Sequence, residues 1–419
     1  MIARRGSLRL HPTGTGPAAA SEPSPFAHPN DERDAVILYD ITAYGAMIAD
    51  RQRIGAYRRA LEAAVRPGSV VLDLGTGTGI HALIACQLGA RRVFAVESAD
   101  TIQVAREIAR DNGFADRIEF LQADAAQVSL PMPADVMVSD LRGVLPLFGR
   151  HLPTIIDARD RLLRDGAAVV PQRDVLRAAP VEATELWERI VGPWGADPTL
   201  DMTSARRLAT QQLHRARIEA EGLLAAPLDW VTIDYKTVRD AGAAAAVEWE
   251  VERAGELHGV AVWFDSTLSS GVSLSNAPGG RELIYGLAFF PLPEPVAVDR
   301  GDRIATTLAA RLVGHDYVWS WDTTITFGDG EARPAVVFRQ STFHGAPLSP
   351  LSLERGSRDY VPALSEEGRI DLDALGMIDG SSALYVIAER LVERHPNAFR
   401  NRREALDRVA ALARRYGRS

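Results

Sequence analysis

The stretch Val70–Ile80 reads VVLDLGTGTGI and decides how the first half of the chain is interpreted. An apolar, β-branched run contains the acidic Asp73, and glycines follow at Gly75, Gly77 and Gly79. A helical pattern begins directly after the last glycine, so the stretch predicts a strand, a tight turn and a helix. Glycines in such a turn permit unusual backbone angles and let a ligand approach the main chain.

Outward from this turn, short β-rich runs alternate with helical patterns over residues 35–173. The alternation predicts an α/β fold built on a doubly wound, Rossmann-like parallel sheet. Ligands of such sheets bind beyond the carboxyl ends of the strands. Glu97 closes the run VFAVE, where it could accept bonds from ribose hydroxyls, and Asp140 closes the run VMVSD. A later helix is predicted to end at Gly166.

The composition excludes several classes of protein. With 419 residues and 46% hydrophobic content, the chain suits a soluble protein of two or three domains. No apolar run reaches the roughly 18 residues that a membrane span needs. The net charge of −8 argues against a nucleic-acid partner. The only cysteine, Cys86, excludes an intrachain disulfide and a cysteine metal cluster, so we expect a reducing, cytoplasmic setting.

No histidine spacing typical of a metal site occurs, so no metal is expected. His151 opens a predicted helix, where a histidine is usually at the surface, although it could also accept a proton.

Shifts in composition divide the chain into four regions. A flexible tail is predicted over 1–34 and the ligand-binding domain over 35–173. Alternating, aromatic-rich strands follow over 174–345, and an arm at about 187–225 interrupts them. The last region, 346–419, contains a linker and apolar residues at helical spacing.

A glycine-rich turn alone also suits NAD-binding enzymes, but the acid two residues before the first glycine changes the interpretation. The pattern D-x-G-x-G-x-G, with Glu97 further on, resembles the S-adenosylmethionine (AdoMet) site of class I methyltransferases. This resemblance implies that AdoMet is the cofactor. It also implies contacts from Asp73, the three glycines, Glu97, Asp124 and Ala125.

The stretch YGAMIADRQRIGAY, residues 44–57, resembles the helix that precedes the sheet in bacterial-type protein arginine methyltransferases. The resemblance implies that Arg53 pairs with the AdoMet carboxylate, a task suited to a guanidinium. Residues 187–209 look like that family's dimerisation arm, and residues 228–327 look like its β-barrel. A homodimer and a protein or peptide substrate are therefore expected.

The acceptor segment departs from that family's pattern. Where the family has two glutamates that grip the substrate guanidinium, this chain has Asp140 and Gly149. The family's Thr-His-Trp element aligns near Leu283, Ile284 and Tyr285, so its histidine is missing. Asp140 is the candidate catalytic residue, and the alternative is a structural carboxylate that caps a turn or pairs with nearby Arg142.

The C-terminal stretch IDGSSALYVIAERLVERHP resembles small PqqD-like domains, which hold leader peptides. The alternative is a helical cap on the enzyme. The whole sequence thus predicts an AdoMet-dependent methyltransferase acting on a protein or peptide side chain. A small-molecule N- or O-methyltransferase and a non-catalytic scaffold that binds AdoMet or peptides are the alternatives.

Overall fold

The computed structural model describes residues 40–328 and 333–417, and the tail predicted over 1–34 lies outside them. The helices are α1 Ile41–Ala49, α2 Arg51–Ala64, α3 Ile80–Gln87, α4 Ile102–Asp111, α5 His151–Leu162, α6 Thr184–Val191, α7 Thr203–Ala209, α8 Pro350–Arg355, α9 Glu366–Gly376, α10 Leu384–Arg394 and α11 Arg402–Tyr416. The strands are β1 Val70–Leu74, β2 Arg92–Glu97, β3 Ile118–Gln122, β4 Ala134–Ser139, β5 Leu163–Val170, β6 Arg173–Val181, β7 His214–Ala216, β8 Leu228–Asp234, β9 Ala243–Glu250, β10 Gly255–Ser269, β11 Val272–Ser275, β12 Leu287–Val298, β13 Arg303–Val313, β14 Asp316–Thr326 and β15 Val336–Ser341.

Five strands form the parallel sheet that the alternating pattern predicts. Their order is β3-β2-β1-β4-β5, and every neighbouring pair runs parallel. All five residues of β1 are buried, as expected for a strand covered on both faces. The predicted Rossmann-like sheet is confirmed, and the carboxyl ends of β1, β2 and β4 lie at one edge.

The predicted end of the helix at Gly166 is wrong. α5 ends at Leu162, and β5 begins at the next residue, so Gly166 lies inside a strand with φ +73°. The reason is tertiary: Leu163 already pairs with Ala134 of β4, ahead of a register shift in that pair of strands. Pairing with β4 therefore outweighs the local preference of glycine for a helix end.

The second half of the fold is antiparallel, as predicted, and contains two sheets. One has the order β7-β12-β10-β6-β8, with β11 paired to β10, and the other has the order β15-β14-β13-β9. Aromatic side chains join the two sheets in one core. The ring of Trp230 lies 5.7 Å from that of Trp319, and the ring of Phe290 lies 5.1 Å from that of Trp321. Among the described residues, the expected barrel thus consists of two packed sheets.

Two helices occupy the segment predicted to be a dimerisation arm. α6 and α7 lie between β6 and β7, and the chain connecting them carries apolar side chains. Trp194, Leu200 and Met202 are 38%, 60% and 40% exposed. Exposed apolar groups in one short segment are typical of a contact surface.

The residues from 348 onwards form a separate compact unit. Its helices α9, α10 and α11 share a small core that includes Ile370, Ile387, Leu391 and Val409. The predicted helical character of this region is confirmed. Among the described residues, no helix is long and apolar enough to cross a membrane.

Candidate active site

Asp73 holds the turn that follows β1. Its buried Oδ2 accepts a hydrogen bond from Oγ1 of Thr76 at 2.6 Å and one from the backbone N–H of Ala82 at 2.9 Å. Burial raises the pKa of this carboxyl to about 7. The side chain therefore ties the turn to the first residues of α3, and its predicted cofactor role stays a prediction.

The three glycines of the turn occupy backbone positions that other residues rarely adopt. Their φ angles are +74° at Gly75, +53° at Gly77 and +88° at Gly79. A Cβ at Gly75 would collide with the side chain of Leu141, and one at Gly77 would lie 2.6 Å from Cε1 of Tyr44. The side chains of Leu141 and Tyr44 thus pack directly against the main chain of the turn, so both positions require glycine.

The other predicted cofactor residues follow the two neighbouring strands. Glu97 at the end of β2 is half-buried, and its carboxylate accepts from the backbone N–H groups of Gly77 and Ala99, both at 3.0 Å. Asp124 is exposed and, with the half-buried Ala125, comes shortly after β3. Since β1, β2 and β3 are adjacent, these residues belong to the same sheet edge as the glycine turn.

Arg53 lies on α2 and binds the candidate catalytic residue. Its Nε and Nη2 both lie 2.6 Å from Oδ2 of Asp140, and Nη1 donates to the carbonyl oxygen of Met47 at 3.0 Å. The two charged side chains are only 8% and 4% exposed. The structure therefore unites one residue predicted to bind the cofactor and the one predicted to act on the acceptor.

Asp140 has two further partners. The hydroxyl of Tyr285 lies 2.6 Å from Oδ2 and 2.8 Å from Oδ1, and Nε of Arg142 lies 3.5 Å from Oδ1. Burial alone would raise the pKa of this carboxyl, but the charges of Arg53 and Arg142 outweigh burial and bring it to about 2. Asp140 is thus a carboxylate at neutral pH, and the alternative pairing with Arg142 is present beside the Arg53 pair.

Arg142 connects Asp140 to a buried series of hydrogen-bonded side chains. Its Nη1 donates to Asp174 at 3.1 Å, and Asp174 accepts from the hydroxyl of Tyr235 at 2.5 Å. That hydroxyl lies 3.2 Å from Nε2 of His151. His151 is 2% exposed, so the expected surface position is wrong, and burial with the nearby charge of Arg142 lowers its pKa to about 3.

The resemblance predicts Gly149 at the position of the family's second glutamate. Its φ is +48°, and its N–H donates to Oδ1 of Asp316 at 3.0 Å. The second carboxylate of the buried cluster is instead Asp174, which comes from β6 and reaches Asp140 only through Arg142.

Sequence reasoning missed Tyr44 and Asp174, and it noted Tyr285 only as part of an alignment. Tyr44 lies in the motif-bearing stretch 44–57, so its position three residues before Met47 was an available signal. Asp174 and Tyr285 lie in the antiparallel half, where no local pattern links them to Asp140. Among the described residues, no cluster of three or more histidine, cysteine, aspartate or glutamate side chains could hold a metal ion.

Two family models match the chain in consecutive segments. A ribosomal protein L11 methyltransferase model (PrmA) matches residues 58–155, which contain the glycine turn and Asp140. The model of the arginine methyltransferase oligomerization subdomain matches residues 172–324, which contain most of the antiparallel half.

Curated relatives match more than half of the chain. Protein arginine N-methyltransferase 6 of Xenopus tropicalis is 28% identical over 279 residues, which are 63% of this chain and 82% of the relative. Probable protein arginine N-methyltransferase 6 of Arabidopsis thaliana is 30% identical over 236 residues, 54% of each chain.

Solved structures share the fold. A chain of the Trypanosoma brucei PRMT1 enzyme–prozyme heterotetrameric complex with AdoHcy superposes with a TM-score of 0.66 and 22% identity, covering 71% of this chain and 97% of that one. Arabidopsis thaliana protein arginine methyltransferase 10 gives a TM-score of 0.64 and 21% identity, covering 72% and 97%. The chain is an AdoMet-dependent methyltransferase with the fold of the protein arginine methyltransferases.

Proposed function

We propose that the chain methylates a side-chain nitrogen of a protein or peptide, with arginine as the favoured acceptor. The observation that carries the proposal is Asp140, a buried carboxylate directly after β4 and beside the glycine turn after β1. The relatives named above are arginine methyltransferases, and the matching oligomerization subdomain supports the same class.

The residues around the turn fit AdoMet. Gly75 and Gly77 give the turn after β1 its positive φ angles, Glu97 offers a carboxylate for hydroxyl groups, and Arg53 offers a guanidinium for a carboxylate. We propose that Asp73 acts indirectly, by holding the turn. Asp124 and Ala125 would line the edge of the same site. The bound cofactor supplies an activated methyl group on a sulfonium.

Asp140 would orient the acceptor nitrogen and stabilise its positive charge. As an aspartate it is one methylene shorter than the glutamate of the resembled family, and Gly149 supplies no second carboxylate. We propose that this degenerate loop still holds one edge of the acceptor, because Oδ1 of Asp140 is contacted less closely than Oδ2, which receives both Arg53 nitrogens.

The decisive experiment transfers isotopically labelled methyl groups from AdoMet into a cell extract and identifies the product by mass spectrometry. Label on an arginine nitrogen of a protein supports the proposal. Label in small molecules would favour a small-molecule methyltransferase, and AdoMet binding in calorimetry without any transfer would favour a non-catalytic scaffold.

Two further assignments complete the proposal. We propose a homodimer that forms through the arm of α6 and α7, because its apolar groups are exposed. We also propose that the unit from residue 348 onwards, PqqD-like in sequence, binds a leader peptide. Saturable binding of the substrate peptide that is lost in a chain ending at residue 347 would support that role. A cytoplasmic location stays a prediction.

A further inference from the structure

Tyr285 lies between β11 and β12, and its hydroxyl contacts both charged groups of the acceptor site. The hydroxyl donates to the Asp140 carboxylate, with 2.6 Å to Oδ2 and 2.8 Å to Oδ1, and it accepts from Nε of Arg53 at 3.0 Å. Tyr285 is 8% exposed. The hydroxyl thus donates a hydrogen bond to the carboxylate and accepts one from the guanidinium, so it bridges Arg53 and Asp140.

The surrounding structure holds Tyr285 firmly in place. Its ring meets the ring of Phe264 edge-on, with 5.3 Å between centroids. The N–H of the preceding residue, Ile284, donates to Oδ2 of Asp50 at 2.9 Å. Oδ1 of the same Asp50 accepts from the backbone N–H of Arg53 at 2.9 Å. One carboxylate therefore fixes the loop of Tyr285 and the start of α2 relative to each other.

The Tyr285 hydroxyl contacts both oxygens of the Asp140 carboxylate and therefore restrains its rotation. Arg53 binds Oδ2, whereas Nε of Arg142 lies 3.5 Å from Oδ1 and has no hydrogen-bond partner among the described residues. Without the Tyr285 hydroxyl, rotation of the carboxylate towards Arg142 would satisfy that donor. Asp140 would then be shared by two guanidinium groups and have less capacity left for an acceptor.

We propose that Tyr285 is a positioning residue for methyl transfer: its hydroxyl fixes the plane of the Asp140 carboxylate and prevents the carboxylate from rotating towards Arg142. The inference rests on the proposed function, since it concerns the same site. The segment Leu283–Tyr285 would thus act on the site through the hydroxyl of Tyr285.

The test compares Tyr285→Phe with Tyr317→Phe. Both changes delete a buried hydroxyl, but that of Tyr317 donates to the carbonyl oxygen of Ala241 at 2.6 Å, away from Asp140. The acceptor is the macromolecule that the wild-type enzyme labels. We expect Tyr285→Phe to lower kcat, measured at saturating AdoMet, by roughly 10- to 100-fold, the scale of one hydrogen bond to a charged group.

The pH dependence of kcat distinguishes a positioning role of Tyr285 from a general loss of stability. Loss of a donor to the carboxylate raises the pKa of Asp140, so the acid limb of kcat should move to higher pH in Tyr285→Phe and stay in place in Tyr317→Phe. Equal kcat values for Tyr285→Phe and wild type would overturn the inference alone. Equal losses in both variants, or a loss explained by weaker AdoMet binding, would also overturn it. Absence of labelling by the wild-type enzyme would overturn the proposed function itself.

Discussion

Arg53 and Asp140 form a buried ion pair in which Nε and Nη2 of the guanidinium both lie 2.6 Å from one carboxylate oxygen. The pair joins α2 to the end of β4 and connects the two halves of the proposed site. If the AdoMet carboxylate also binds Arg53, two carboxylates share one guanidinium. Cofactor affinity and the availability of Asp140 are then coupled.

Replacement of Arg53 should damage both stability and cofactor binding. In Arg53→Gln, Asp140 stays buried without its closest cation, which costs roughly 3 kcal/mol or more of unfolding free energy. AdoMet affinity should fall at least about tenfold, since a charge-assisted bond is lost. Denaturant unfolding and calorimetry measure the two effects. Arg58→Gln on the same helix, where the guanidinium contacts Gln87, is the control and should change neither.

Asp140→Asn should separate turnover from cofactor binding. Methyl transfer should fall by roughly a hundredfold or more, the scale of a positioned acid–base group. AdoMet affinity should be kept or increase, because Arg53 loses its competing carboxylate. Calorimetry and initial rates on the labelled acceptor check both parts. Wild-type turnover in this variant would make Asp140 a structural residue.

Gly77→Ala should abolish AdoMet binding. A Cβ there would lie 2.6 Å from the ring of Tyr44 and would be strained at φ +53°. Gly113→Ala carries a similar strain at φ +72° but meets open space, so it should lose a little stability and no AdoMet affinity. Equal affinities of the two variants in calorimetry would contradict the role of the turn.

Charges on the arm should dissociate the proposed homodimer. Leu200→Asp combined with Met202→Asp places two carboxylates on the exposed apolar segment, so light scattering should report a monomer. Val313→Asp, at a position 61% exposed at the end of β13, should leave the mass unchanged. A monomeric wild-type protein at micromolar concentration would refute the dimer itself.

His151 should make stability fall in acid. Its pKa is lowered from 6.5 to about 3, so the unfolded chain takes up a proton below pH 6.5 that the folded chain refuses until about pH 3. The contribution of His151 to the free energy of unfolding is therefore fully present above pH 6.5. It is lost between pH 6.5 and about pH 3, at up to roughly 1.4 kcal/mol per pH unit. In His151→Gln this part of the slope of unfolding free energy against pH should vanish. His81, whose pKa is lowered to about 4 by burial, should still contribute its own slope.

Much of the fold could be predicted from local patterns. The alternation of strands and helices predicted the parallel sheet, and the glycines at Gly75, Gly77 and Gly79 predicted the turn, because strand and helix periods and positive φ angles are properties of short segments. The position of Gly166 could not be predicted in this way, since pairing with β4 extends the strand.

The sequence by itself determined the sheet, the glycine turn after β1 and the carboxylate at the end of β4. Only the tertiary structure decided the partners of that carboxylate. Arg53 precedes Asp140 by 87 residues, and Tyr285 follows it by 145, so their contacts depend on how α2 and the antiparallel half pack onto the sheet. Side-chain contacts over such separations leave no periodic trace in the sequence, because they arise from packing between elements and not from the conformation of any one of them.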